Sequence, residues 1–102
     1  MKTKTSTIEP EKLEKAAYIL KTIAHPLRLS IVEWLTMHEE LSVGTLCEFL
    51  DSEQSLVSHH LQNMRLKGLL VARKEGTSIF YSLKEKNLSN IIRCVEQCDC
   101  NM

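Results

Sequence analysis

No apolar run in this chain approaches the ~20 residues needed to span a bilayer, which excludes a membrane-spanning helix. The N-terminal stretch MKTKTSTIEP lacks the apolar core of a secretion signal, so the expected location is the cytoplasm. With three glycines there is no nucleotide-binding glycine loop, and no pattern of an activated nucleophile stands out. Catalytic residues are therefore none, and an enzyme is not expected. Low-complexity segments, internal repeats and linkers are missing as well. At 102 residues the chain has room for one compact domain, taken here as 1–102, whose modest core oligomerisation would help.

Net charge is also missing, since thirteen Lys and Arg balance thirteen Asp and Glu. The balance conceals a segregation. Residues 1–53 hold six basic and nine acidic side chains, net −3. Residues 54–84 hold Arg65, Lys67, Arg73, Lys74 and Lys84 against Glu75 alone, net +4, and residues 85–102 are net −1. Such a distribution favours specific, salt-sensitive binding of a polyanion over general stickiness.

What is present is a sequence of amphipathic segments. A first helix is expected from about Pro10 to Ala24, with an apolar stripe of Leu13, Ala16, Ala17, Leu20, Ile23 and Ala24. His25-Pro26 breaks it, and Pro26 opens a second helix to about Met37 that is apolar on most sides and so central. After a solvated turn at Glu39-Glu40, Ser42 suits the N-cap of a short helix, Val43 to Leu50. Asp51 or Ser52 can cap a fourth helix, about Gln54 to Lys67, with Val57, Leu61 and Met64 on its core side. The two short helices form a helix-turn-helix over 43–67. Strand-like Leu69 to Arg73 and Ile79 to Leu83 flank a turn at Gly76, making a wing over 69–83, and a last helix follows from about 86 to 98. The fold expected is mainly α with a small β-hairpin, a winged helix-turn-helix.

The outer face of the fourth helix carries Gln54, Ser55, Ser58, His59 and Gln62. Polar side chains there suit hydrogen bonding to base edges in the major groove of double-stranded DNA. A basic hairpin alongside suits the neighbouring backbone or minor groove.

Four cysteines in a cytosolic chain read as ligands or redox thiols more readily than as structural disulfides. Cys94 and Cys98 are four apart and share a helix face, and Cys100 can fold back as a third ligand. Three thiolates suit soft ions such as arsenite, antimonite, cadmium or copper(I). Two other readings stand beside that one: a redox or reactive-sulfur bridge, and an exposed tail with no role. Cys47 falls at helical spacing with Val43, Leu46 and Leu50 and reads as a small core residue. His59 and His60 point about 100° apart on a helix, which disfavours chelation of one ion. His60 sits with the core positions and reads as a partly buried, hydrogen-bonded histidine.

The runs IAHPLRLSIVEWL, LSVGTLCEFL and EQSLVSHHLQNMRLKGLL, with a wing ending in IFYSL, resemble the ArsR-type family of bacterial metal- and stress-sensing repressors. The likeness covers roughly residues 16–92, and S-x-x-S-H-H-L followed by K-G-L-L is its specific signature. It implies a homodimer joined through the first and last helices, seated on an imperfect palindrome and released by an effector. By the same resemblance Gln54, Ser55, Ser58 and His59 face the bases, and Arg73, Lys74 and Thr77 lie at the wing. DNA binding itself requires no cofactor; a soft metal or metalloid ion enters as effector.

Departures from the family are informative. Its E-L-C-x-C metalloid run is Glu40-Leu41-Ser42-Val43-Gly44 here, and its zinc positions on the last helix contain no histidine between Asn87 and Glu96. Leu56 replaces a small polar residue and either touches a thymine methyl or tucks against the third helix. Two rival functions remain: a protein–protein interaction module on the same scaffold, and a small thiol or metal-transfer protein using Cys98-Asp99-Cys100. Neither uses the polar face of the fourth helix.

Overall fold

The computed structural model describes residues 7–97. Five helices and three strands follow in the order α1 (Pro10–Ile23), α2 (Pro26–Met37), β1 (Leu41–Ser42), α3 (Val43–Leu50), α4 (Gln54–Leu66), β2 (Leu70–Glu75), β3 (Ser78–Leu83) and α5 (Leu88–Gln97). The strands form one antiparallel sheet in the order β1-β3-β2. The architecture is a winged helix-turn-helix.

Prolines open the first two helices, where their missing N–H costs nothing. His25 does more than break the chain. Its Nδ1 accepts from the Leu27 amide at 3.1 Å and caps α2. The Oγ of Ser42 accepts from the Thr45 amide at 3.1 Å, the expected cap of α3. The next junction differs from expectation. Asp51 terminates α3 in the left-handed region (φ 50°, ψ 50°), a conformation that a short polar side chain tolerates better than most. Ser52 donates its hydroxyl to the Leu50 carbonyl, and Glu53 occupies the N-cap position of α4 without a side-chain bond. So neither Asp51 nor Ser52 caps α4; both are used in closing α3.

Helix α4 ends in a Schellman arrangement. The Gly68 amide donates to Arg65 and the Leu69 amide to Met64, both at 3.0 Å, with Gly68 at φ 85°. The wing turn is the two-residue Gly76-Thr77, with positive φ at Gly76, which matches the twist of the strands it joins.

Strand β1 was not expected from the sequence. It is only two residues long and pairs Leu41 with Tyr81 and Ser42 with Phe80. Ser42 therefore ends a strand and caps a helix at once, leaving no linker between the sheet and the helix-turn-helix.

The core gathers Ile23, Ile31, Val32, Leu35, Leu46, Val57, Leu61, Met64, Leu69, Leu70, Tyr81, Leu83, Leu88 and Ile92. Helix α2 is central and packs against α1, α3, α5 and β3. Helix α1 is the exception to good burial. Thr22 and Ile23 in its last turn are buried, while Leu13, Ala16, Ala17 and Leu20 of the apolar stripe stay exposed.

Candidate nucleic-acid interface

The buried side of α4 is Val57, His60, Leu61 and Met64. The opposite side presents Ser55, His59 and Gln62, all exposed, along one ridge at i, i+4 and i+7. Gln54 and the half-buried Ser58 stand at the edge of that ridge nearest the wing. They share a cleft of about 230 Å³ with Thr77, Ser78 and Ile79 of the wing and with Ser42, Val43 and Gly44 at the start of α3. Three of the expected contact residues, Gln54, Ser58 and Thr77, thus line one cavity. Ser55, His59 and Gln62 are on the same helix but outside it. Leu56 is 46% exposed, roughly half of its surface being covered.

His60 holds the ridge in place. It is 7% exposed, and its Nδ1 accepts from the Nε of Arg28 at 3.0 Å. Arg28 also donates through Nη1 to the Thr22 carbonyl at 2.9 Å, so one guanidinium ties α4 to α2 and to the end of α1. Burial holds the His60 imidazole below the ordinary histidine range, with Arg28, His25 and His59 adding to the effect. The His25 and His60 rings lie 4.7 Å apart and the His59 and His60 rings 5.8 Å apart. Among the described residues no group of three or more His, Cys, Asp or Glu is arranged to hold a metal ion.

On the wing, Lys74 and Thr77 are exposed. Arg73 is exposed too, but its guanidinium is engaged with the carboxylates of Glu40 and Glu75 and lies over the Phe80 ring. Glu40 carried no sequence signal: the contact joins residues 33 apart. The Arg28–His60 bond, 32 residues apart, was equally hidden.

Of the cysteines, Cys47 packs against the core, and burial pushes its thiol pKa up. Cys94 is exposed on α5. Cys98 and Cys100 lie outside the described residues.

This architecture and polar face define a winged helix-turn-helix DNA-binding regulator. Residues 25–71 match the model of the bacterial regulatory protein arsR family. The transcriptional repressor PagR of Bacillus anthracis is 42% identical over 86 residues, covering 84% of this chain and 86% of PagR. Its crystal structure superimposes with a TM-score of 0.75 at 40% identity, over 85% of this chain and 99% of that one. The transcriptional activator HlyU of Vibrio cholerae is 37% identical over 84% of this chain and 79% of HlyU; its structure gives a TM-score of 0.75, covering 91% and 100%. More distant is the cadmium resistance transcriptional regulatory protein CadC homolog of Staphylococcus aureus, 28% identical over 74% of this chain and 63% of that protein. The chain belongs to the arsR family of DNA-binding transcriptional regulators, a non-enzymatic family. No described helix is long and apolar enough to cross a membrane.

Proposed function

We propose that the protein is a cytoplasmic homodimeric repressor that binds an operator palindrome and is released by a thiol-reactive effector. The observation that carries the DNA reading is the exposed ridge of Ser55, His59 and Gln62, flanked by Gln54 and Ser58, opposite the buried side of α4. In a major groove that ridge meets base edges, and the wing from Arg73 to Thr77 lies along the neighbouring backbone. Repression follows the sense of action of PagR.

The homodimer reading is supported by α1. Its unburied Leu20 and Ala16 line a broad groove with Ile19 and with Ile91 of α5, an apolar surface that a second copy would cover. Release is assigned to Cys94, Cys98 and Cys100. Thiolates favour arsenite, cadmium or copper(I) over hard cations, and cadmium is what the CadC homolog is named for.

The test is a mobility shift with duplexes enriched by the protein from a random pool, followed by titration with arsenite, cadmium, copper(I) and polysulfide. A complex of two chains per duplex, dissociated by a soft ion, is expected. Release by polysulfide alone would assign the cysteines to reactive-sulfur sensing instead. Absence of any enriched duplex at low salt would overturn the DNA reading.

A further inference from the structure

Arg73 makes more polar contacts than any other side chain of the wing. Its Nε lies 3.3 Å from Oε2 of Glu40, and its Nη2 donates to Oε1 of the same carboxylate. Its Nη1 donates to Oε1 of Glu75 at 2.8 Å. The guanidinium carbon stands 4.8 Å from the centre of the Phe80 ring.

The sheet register explains the reach. Arg73 on β2 is opposite Phe80 on β3, and Phe80 is opposite Ser42 on β1. Side chains directly across strands share a face, and Glu40, two residues before Ser42, shares it as well. The arginine thus crosses the central strand, bedded on its aromatic ring, and grips the approach to the far strand. The residue reached through that strand is Ser42, the cap of α3.

A planar guanidinium forked onto a carboxylate is a directional contact that a lysine could not reproduce. Two carboxylates around one guanidinium also leave the spot negative, the wrong sign for a phosphate. We infer that Arg73 is a positioning residue, a clasp that sets the wing's angle to the helix-turn-helix, and that Lys74 supplies the wing's free positive charge to the DNA backbone. The inference rests on α4 and the wing being the DNA interface. Exposed ion pairs add little to global stability, so the clasp acts on orientation rather than on melting.

The experiment compares Glu40→Gln, Arg73→Gln, their double variant and Arg73→Lys on a duplex enriched by the wild-type protein. The clasp predicts that each single variant weakens binding by a similar factor, about threefold to tenfold. It also predicts a double variant no weaker than either single one, and an unchanged dependence of log affinity on log salt. Arg73→Lys keeps the charge but loses the fork, so it weakens binding too. A phosphate contact predicts the reverse: Glu40→Gln would tighten binding, and Arg73→Gln would flatten the salt slope by about 0.9. Either of those results, or unaltered affinity in both single variants, overturns the clasp. A second arm needs no DNA. Hydrogen exchange at the amides of residues 74–78 should quicken in Glu40→Gln at an unchanged Tm, and unaltered exchange would also sink the idea. If the wild type enriches no duplex, the DNA reading fails while exchange still judges the clasp.

Discussion

The Nε of Arg28 donates to the Nδ1 of His60 across 3.0 Å, joining the central helix to the helix that carries the recognition ridge. An imidazole that accepts from a guanidinium at one nitrogen must be neutral there, because its protonated form has only donors. Burial depresses its pKa below 6.5, with Arg28 acting in the same direction. As pH falls through 6.5 the unfolded chain takes up this proton first, so stability is fully present above that value and declines toward the folded pKa. His60→Gln keeps an acceptor for Arg28 and does not titrate. Urea unfolding at a series of pH values should show wild type losing stability relative to this variant below about 6.5. Parallel curves would remove His60 from the acid response.

The recognition ridge and the wing should fail differently. Ser58→Ala and His59→Ala are expected to cost about 1–3 kcal/mol each on the preferred duplex and little on unrelated DNA. Lys74→Ala should weaken all duplexes evenly and flatten the salt slope by about 0.9. Should Lys74→Ala alone change sequence preference, the two roles are exchanged.

Packing beneath the ridge has its own signature. Leu61 is fully buried on α4, and Leu61→Ala should destabilise the fold by about 2–5 kcal/mol. That is a large share of the ~5–15 kcal/mol typical of a small domain. A loss below 1 kcal/mol in urea unfolding would mean that α4 is not anchored through this residue.

Oligomeric state is the test of α1. Leu20 is 49% exposed, and Leu20→Glu should move the protein from dimer to monomer in sedimentation at micromolar concentration. Helical content should be largely kept, since the core does not use that side chain. A variant that stays dimeric would place the seam elsewhere.

Thiol chemistry should rank the cysteines. Burial raises the Cys47 pKa and so lowers its thiolate fraction, whereas Cys94 is open to reagent. Mass spectrometry of briefly alkylated native protein should find Cys94 modified before Cys47. Cys94→Ser should bind DNA as wild type does but resist release by the effector. Normal release would exclude Cys94 from sensing.

Much of this was legible in the sequence because helical periodicity is strong where one side is buried and the other wet. Val57, Leu61 and Met64 mark the inside of α4, and its polar outside follows by elimination. The hairpin announced itself through Gly76 between two apolar runs. Strand β1 did not, because two residues carry no period, and Leu41-Ser42 is a strand only by lying against Tyr81 and Phe80. Asp51 suited a helix start by its chemistry, and its left-handed backbone made it a helix end instead. Arg73 read as a free cation because its carboxylate partner at Glu40 is remote in sequence. The stripe on α1 told that something covers it without telling whether the cover is this chain.

That weakly seated first helix has a consequence for the life of the protein in a cell. Its fully buried residues, Thr22 and Ile23, sit in the last turn, and the turns before it are held by the half-buried Ile19 and the surface Lys15–Glu85 ion pair, so opening them sacrifices little buried surface. A solitary copy would offer α1 to proteases, and pairing through it would withdraw it. On the proposed dimer, supply and turnover would be linked: scarce chains would be cleared quickly, and abundant ones would shelter each other. Limited proteolysis of progressively diluted protein should show cleavage gathering in α1 as the concentration drops.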